Sequence, residues 1–214
     1  MSEDPLPAGF FERADESPDP LFYTQPRLVT HIDDVTIEAL RDYYREALPR
    51  DGEILDLMSS WVSHLPDDVA YSRIAGLGMN ALELDQNPRL HERVVHDLNT
   101  SPELPFADAS FDAVINAVSV QYLKRPLEVF AEVARVLRPG GVHLVAYSHR
   151  MFPTKAVAVW RSTPPHELKR VVETYFNRSR AFSGSGGWED LQSIDRSPSF
   201  GDPLWITRAR RARS

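Results

Sequence analysis

From Glu53 onward, short apolar runs alternate with segments of helical spacing. Ile54-Leu55-Asp56-Leu57 reads as a buried strand, Ser72 to Leu77 as a second and Arg93 to Asp97 as a third. Phe111 to Val118 reads as a fourth strand and Gly141 to Tyr147 as a fifth. Between these last two, Pro126 to Leu137 sets Leu127, Phe130, Val133, Ala134 and Leu137 on one helical face. A proline opens that helix, and Pro139-Gly140-Gly141 is its expected stop. Strands alternating with helices predict parallel βαβ units and a doubly wound α/β sheet.

The flanks read differently. Residues 1–20 are rich in Pro, Asp, Glu and Ser and cannot bury enough apolar surface to order themselves, so they are expected to be disordered. Residues 21–50 bring Phe22, Tyr23, Val29, Ile32 and Ile37, then a helix capped by Asp33 or Asp34 that runs through Leu48 and ends at Pro49 and Gly52. This stretch is expected to be a helical extension that serves as a lid. After Tyr147, Pro165 to Phe176 predicts a helix and Phe182 to Gly187 a Gly/Ser-rich loop. Leu191 to Ile194 and Leu204 to Arg208 predict two late strands, paired as a hairpin at the sheet edge. The main domain then spans 51–208, with a basic tail at 209–214.

Composition narrows the function classes. The chain has 214 residues, 24 Lys+Arg against 31 Asp+Glu, a net charge of −7 and no cysteine. That balance argues against nucleic acid as a partner, and the cluster Arg208, Arg210, Arg211 and Arg213 reads as a solvated tail. Without cysteine there is no disulfide, thiolate–metal site or thiol nucleophile, and no His/carboxylate spacing suggests a metal. His64 and His166 read as solvated, and His91 and His96 do not share a helix face. The start at Met1 lacks a basic, apolar leader, and the longest uncharged apolar stretch, Ala113 to Leu123, falls short of the ~20 residues that cross a bilayer. No membrane and a cytoplasmic location are the expectation.

In a parallel sheet, ligands bind beyond the carboxyl ends of the strands. Those ends carry Asp56, Met58, Ser59 and Ser60; Gly78, Met79 and Asn80; Asp97, Leu98 and Asn99; Ala117, Val118 and Ser119; and Ser148, His149 and Arg150. The run from Leu104 to Ser148 adds Leu104-Pro105-Phe106, Ser110-Phe111-Asp112 and Arg135-Val136-Leu137-Arg138-Pro139-Gly140-Gly141, in that order behind Asp97. In these pieces the chain resembles class I S-adenosylmethionine-dependent methyltransferases. The resemblance is nearest to the small-molecule branch that includes quinone-biosynthesis methyltransferases. It covers about Gly52 to Ser148 well, the late strands loosely and the first 50 residues not at all.

The resemblance implies a Rossmann-like, mostly parallel seven-stranded sheet flanked by helices, with S-adenosyl-L-methionine as cofactor. Asp97 would accept from the adenine amine, with Leu98 on the ring face and Asn99 beside it. The loop Asp56-Leu57-Met58-Ser59-Ser60-Trp61-Val62 stands where the family has Asp/Glu-x-Gly-x-Gly-x-Gly, with every glycine replaced. Gly78 stands where the family has its ribose-binding acid. Ser59 and Ser60 at a helix N-terminus would suit the methionine carboxylate. Asn80, or Glu83 after a tight turn, would serve the ribose. Met79, Ala117, Val118 and Ser119 complete the expected cofactor set.

The expected activity is methyl transfer to a small-molecule acceptor by in-line displacement. Tyr23, Arg27, His31, Tyr147, His149 and Arg150 are the candidate acceptor contacts. Tyr23, His31 and His149 are the candidate catalytic groups, a base being needed only if the acceptor must lose a proton. The rival expectations are a non-catalytic scaffold, or a cofactor-gated sensor working through a protein partner. A nicotinamide-linked enzyme is a further rival, although Gly76-x-Gly78 lacks the third glycine that a dinucleotide fold would show. The aromatic N-terminal arm is consistent with a monomer or a homodimer.

Overall fold

The computed structural model describes residues 6–182 and 187–213. Its strands are β1 (Glu53–Leu57), β2 (Arg73–Gly78), β3 (Glu92–Val95), β4 (Phe111–Ala117), β5 (Leu137–Tyr147), β6 (Trp188–Asp195) and β7 (Trp205–Arg211). They form one sheet in the order β3-β2-β1-β4-β5-β7-β6, with β7 antiparallel to both of its neighbours and the remaining pairings parallel. The helices are α1 (Asp19–Phe22), α2 (Asp34–Ala47), α3 (Ala81–Asp85), α4 (Pro126–Val136), α5 (Ala158–Ser162) and α6 (Leu168–Ser179). The doubly wound sheet and the pairing of the two late strands are as the sequence predicts. Of the expected loop at 182–187, residues 183–186 lie outside the described residues.

Side chains alternate across each strand, so neighbours such as Ile54 and Leu55, or Val114 and Ile115, enter opposite cores. Leu55, Val114 and Val145 meet Phe130, Val133, Val172 and Phe176 of α4 and α6. Ile54, Ile74, Ile115 and Leu144 meet Ile37, Leu40 and Tyr44 of α2. Each such aliphatic side chain contributes about 1.5–3 kcal/mol by leaving water. Helix α2 starts where Asp33 accepts from the Thr36 N–H at 2.9 Å, and it carries Arg45 in its last turn.

The motifs that carry the family resemblance brace the far end of the sheet. Asp112 accepts from the Glu53 N–H at 2.8 Å and pairs with Arg138 at 2.8 Å, and Arg138 also reaches Glu53 at 2.8 Å. Arg135 pairs with Glu132 and Asp108 at 2.7 Å each, and donates to the Leu104 carbonyl at 2.8 Å. The Pro-Gly-Gly stop does not end the helix. Strand β5 begins at Leu137, and the register slips opposite Phe111 and Ala113 to absorb Pro139-Gly140 as a bulge.

Three further expectations are corrected. Residues 6–20 are not outside the fold: Phe10 and Phe11 pack on the core beneath α4 and α6, and Arg13 pairs with Asp19 at 2.6 Å with both side chains buried. Ionic pairing and two aromatic anchors supply what an acidic, proline-rich composition lacks. The basic tail is not free either. Strand β7 runs through Arg211, Ala209 is buried, and Arg210 donates to the Gly140 carbonyl at 2.9 Å. Finally, no helix follows β1. Residues 58–72 cross to β2 as coil, burying Leu65, Val69 and Tyr71 against α2.

Candidate functional site

The strand order reverses between β1 and β4, and a cleft opens beyond their carboxyl ends. Measured to the centre of a water molecule its volume is about 120 Å³, where a single water needs about 10–15 Å³. Met58 and Trp61 line this space without filling it.

On the β1–β2 side the cleft is shaped by a close backbone approach. The Ser59 N–H donates to the Leu77 carbonyl at 2.7 Å, and a Cβ on Gly78 would overlap the Ser59 carbonyl oxygen. No side chain fits at residue 78, so an acid there is excluded by contact. Glu83, on α3, brings a carboxylate to the cleft instead and is 7% exposed. It accepts from Ser60 Oγ at 2.6 Å and from the Arg27 N–H at 2.8 Å. Met58 keeps the left-handed conformation (φ 58°) that a glycine would adopt without cost. Val118, at the end of β4, has φ 50°, unusual for a β-branched residue.

Burial sets the charge states here. Asp56 is 3% exposed and its carboxyl is pushed up to about 7, Ser59 and Ser63 only partly opposing. His64 is pushed down to about 4, mainly by desolvation and further by Arg41 and His31, and its Nδ1 has no partner among the described residues. His31 is lowered chiefly by burial. Burial raises the Tyr23 phenol, which therefore stays protonated and acts as a donor rather than a base.

On the β3 side the polar groups are already paired. Asp97 accepts from the Asn99 N–H at 2.9 Å and from Thr100 Oγ1 at 2.8 Å, closing the turn that exposes Leu98 to the cleft. Asn99 Nδ2 donates to Asp19 at 2.8 Å and to the Tyr122 carbonyl at 3.0 Å. Asp19 faces Lys155 at 3.5 Å, and Asp15 faces the same ammonium at 3.2 Å.

A strap from Tyr23 to His31 covers the opening. Asn80 Nδ2 donates to the Tyr23 carbonyl at 2.8 Å, and Trp61 Nε1 donates to the Val29 carbonyl at 3.0 Å. His31 meets the Phe152 ring edge-on at 5.1 Å.

The cleft gathers Asp56, Met58, Ser59, Ser60, Gly78, Met79, Asp97, Leu98, Asn99, Ala117, Val118 and Ser119, together with Tyr23, Arg27 and His31. Four expected site residues lie off it. Asn80 is spent as the N-cap of α3, accepting from the Leu82 and Glu83 N–H groups, and as the tether of the strap. Tyr147 follows the strand alternation into the α4–α6 core, where its hydroxyl meets Thr207 at 2.9 Å. His149 and Arg150 turn outward toward Asp202, at 3.5 and 3.8 Å. Ser59 and Ser60 reach the cleft but stand at no helix end, and their hydroxyls go to Asp56 (2.6 Å) and Glu83.

The cleft residues that the sequence did not bring forward as candidates include Asp19, His64 and Tyr122; Trp61 and Phe152, which follow β1 and β5, line it as well. His64 reads as solvated because no helical or strand periodicity places it on an inward face; it is buried because the helix-free crossing folds back on α2. Its one local signal was its place in the segment after β1.

Residues 62–145 match the family described as "Methyltransferase domain". A malonyl-[acyl-carrier protein] O-methyltransferase of Hahella chejuensis is 30% identical over 107 residues, covering 49% of this chain and 38% of that protein. A demethylmenaquinone methyltransferase of Renibacterium salmoninarum is 38% identical over 77 residues, covering 36% of this chain and 30% of that protein. The chain spans less than half the length of the curated relatives it matches. Among solved structures, an S-adenosylmethionine-dependent methyltransferase from Mesorhizobium loti superposes with a TM-score of 0.53 at 15% identity, over 81% of this chain and 98% of that one. At that identity the likeness concerns the fold.

Proposed function

We propose that the chain is a class I S-adenosylmethionine-dependent methyltransferase that passes a methyl group to a small-molecule acceptor held beneath the strap, a reading supported by the methyltransferase-domain match over residues 62–145. The residues of the cleft fit an adenosyl cofactor. The glycine-tight approach of Ser59 to Gly78 makes a cradle that a Cβ would fill. Glu83 accepts two hydrogen bonds from the chain and, as a carboxylate with about four acceptor sites, keeps room for ribose hydroxyls. Asp97 would take the adenine amine, and Leu98 would lie on the ring face.

When bound, the cofactor supplies a methyl group on a positively charged sulfur, open to in-line attack. The chain's own work is then to position and to exclude water. Correct placement alone supplies ~7–11 kcal/mol of the barrier. The strap, pinned by Asn80, Trp61 and Glu83, closes the opening, and Tyr122 and Phe152 help to wall it. His31, held neutral by burial, is the group we assign to accept a proton where the acceptor must lose one; Tyr23 donates a hydrogen bond.

The observation that carries this reading is the Gly78–Ser59 cradle with Glu83 beside it. Calorimetry with S-adenosylhomocysteine tests it. Asp97→Ala is expected to bind about 5- to 150-fold more weakly, as a buried amine loses a partner worth ~1–3 kcal/mol. No binding of any adenosyl compound by the wild type overturns the reading. A sensor that binds without turnover is favoured by one observation, the internal use of both serine hydroxyls. Binding with no methylated product across an acceptor panel would select it.

A further inference from the structure

We propose that Arg27 is a carboxylate-binding residue of the cleft. This rests on the cleft being the adenosyl and acceptor site. Arg27 is the one Lys or Arg among the described residues that line it. Its guanidinium lies over the Phe22 ring at 4.2 Å and near the Phe152 ring at 5.5 Å, and Nη1 donates to the Phe22 carbonyl at 2.8 Å. Among the described residues, no carboxylate pairs with it. The other cations of this region are treated differently: Arg13 has Asp19 at 2.6 Å, and Lys155 has Asp15 at 3.2 Å.

The four acids of the cleft are each engaged elsewhere. Asp19 faces Arg13 and Lys155, Asp56 is buried against Ser59, Glu83 takes Ser60 Oγ and the Arg27 backbone, and Asp97 closes its own turn. Arg27 therefore keeps most of its five N–H donors, with aromatic slabs thinning the water around it. A planar fork fixed in this way matches a carboxylate in a bidentate pair, which is stronger and more selective than a neutral hydrogen bond.

The carboxylate has two sources: the methionyl end of the cofactor, left without a helix N-terminus by the coil at 58–72, or the acceptor itself. Two ligand pairs separate them by calorimetry on the full chain. The first is S-adenosylhomocysteine against 5′-methylthioadenosine, which lacks the amino-acid end. The second is 4-hydroxybenzoate against 4-hydroxybenzamide, with methylthioadenosine present. In at least one pair the wild type should prefer the carboxylate by about tenfold to a hundredfold. Arg27→Gln should erase that preference without lowering the melting temperature, and Arg27→Lys should keep part of it.

Loss in the first pair assigns the carboxylate to the cofactor, and loss in the second to the acceptor. No carboxylate preference in either pair, or a preference that Arg27→Gln leaves intact, overturns the proposal. Absence of any adenosyl binding by the wild type sinks the methyltransferase reading instead, and the benzoate pair then decides the role of Arg27 without cofactor.

Discussion

The two flanks of the cleft handle buried polarity in opposite ways. On the β3 flank, Arg13, Asp19, Asn99, Lys155 and Asp97 answer one another at 2.6–3.5 Å, and every cation has an anion. On the β1 flank, among the described residues, Asp56 is buried without a cation, His64 keeps an unpartnered Nδ1, and Arg27 waits without a carboxylate. The difference teaches that one wall is finished by the chain itself, while the other holds groups whose balance is left to a ligand. Substitutions on the two walls should therefore fail differently.

The largest effect is expected on the finished wall. Asp19→Ala leaves Arg13 without its partner and Lys155, 1% exposed, with Asp15 alone. Removing one member of a buried ion pair costs about 3–5 kcal/mol. Because the group ties residues 6–23 to the sheet, the loss should appear as opening of that segment. Hydrogen exchange should rise there first, and the thermal midpoint should fall. Unchanged protection in a folded Asp19→Ala protein would remove the contrast between the flanks.

Asp56 gives the next largest effect, with the opposite sign. Its carboxyl titrates from 3.8 unfolded to about 7 folded, so the native state holds the proton more tightly. A raised folded pKa contributes stability fully below the unfolded value and loses it as pH climbs through the folded one. From pH 4 to above 7 that loss is on the order of 4 kcal/mol at 1.36 kcal/mol per unit. His64 and His143, buried neutral with values near 4 and 3, act the other way and weaken the fold as pH drops below 6.5. Near pH 5.5 the unfolded chain binds roughly two protons at these histidines while the native chain binds about one, at Asp56. Stability should thus rise by about 1 kcal/mol per pH unit there. Asp56→Asn should roughly double that slope and stabilise the protein at pH 8. A slope that Asp56→Asn leaves unaltered would place the proton elsewhere.

What was legible in the sequence follows the same division. The mostly parallel sheet and the α4 helix were readable because Leu104-Pro105-Phe106, Asp112 and the Arg135–Gly141 run are structural braces whose residue types are dictated by ion pairs and a bulge; the strand order was not. Asp97 and Leu98 were readable because a strand end places them. The β1 flank was not. The missing helix after β1 leaves no periodic signal, only a broken glycine pattern. Glu83 was readable only as an alternative to Asn80, because the capping bonds that occupy Asn80 and the Ser59 carbonyl lying against Gly78 are tertiary facts. Tyr147 failed for a simpler reason: strand alternation turned it toward Thr207.

Gly78 sharpens the comparison at intermediate size. Gly78→Ala or Gly78→Asp must push the Ser59 backbone away, an overpacking cost of about 1–3 kcal/mol. Gly78→Asp would introduce the acid that the family resemblance implies at this position, yet it should bind S-adenosylhomocysteine worse, because the added side chain displaces the cradle it was meant to serve. Tighter binding by Gly78→Asp would show that the vacancy is not set by contact.

Met58→Gly should change least, and its smallness is informative. The left-handed conformation at φ 58° costs a residue with a Cβ on the order of 1 kcal/mol, which glycine would recover. Glycine gives back about 0.5–1 kcal/mol through the freer unfolded chain, and it forfeits the packing of a half-buried methionine on the core. The terms nearly cancel, so stability should stay within about 1 kcal/mol of wild type and cofactor affinity should hold. That result would mean the loop after β1 holds its path without glycines, the methionine fitting a backbone course that a glycine would also take. A large gain in S-adenosylhomocysteine affinity on restoring the glycine would instead mark Met58 as an obstruction, and would move the β1 flank from a rebuilt wall to an eroded one.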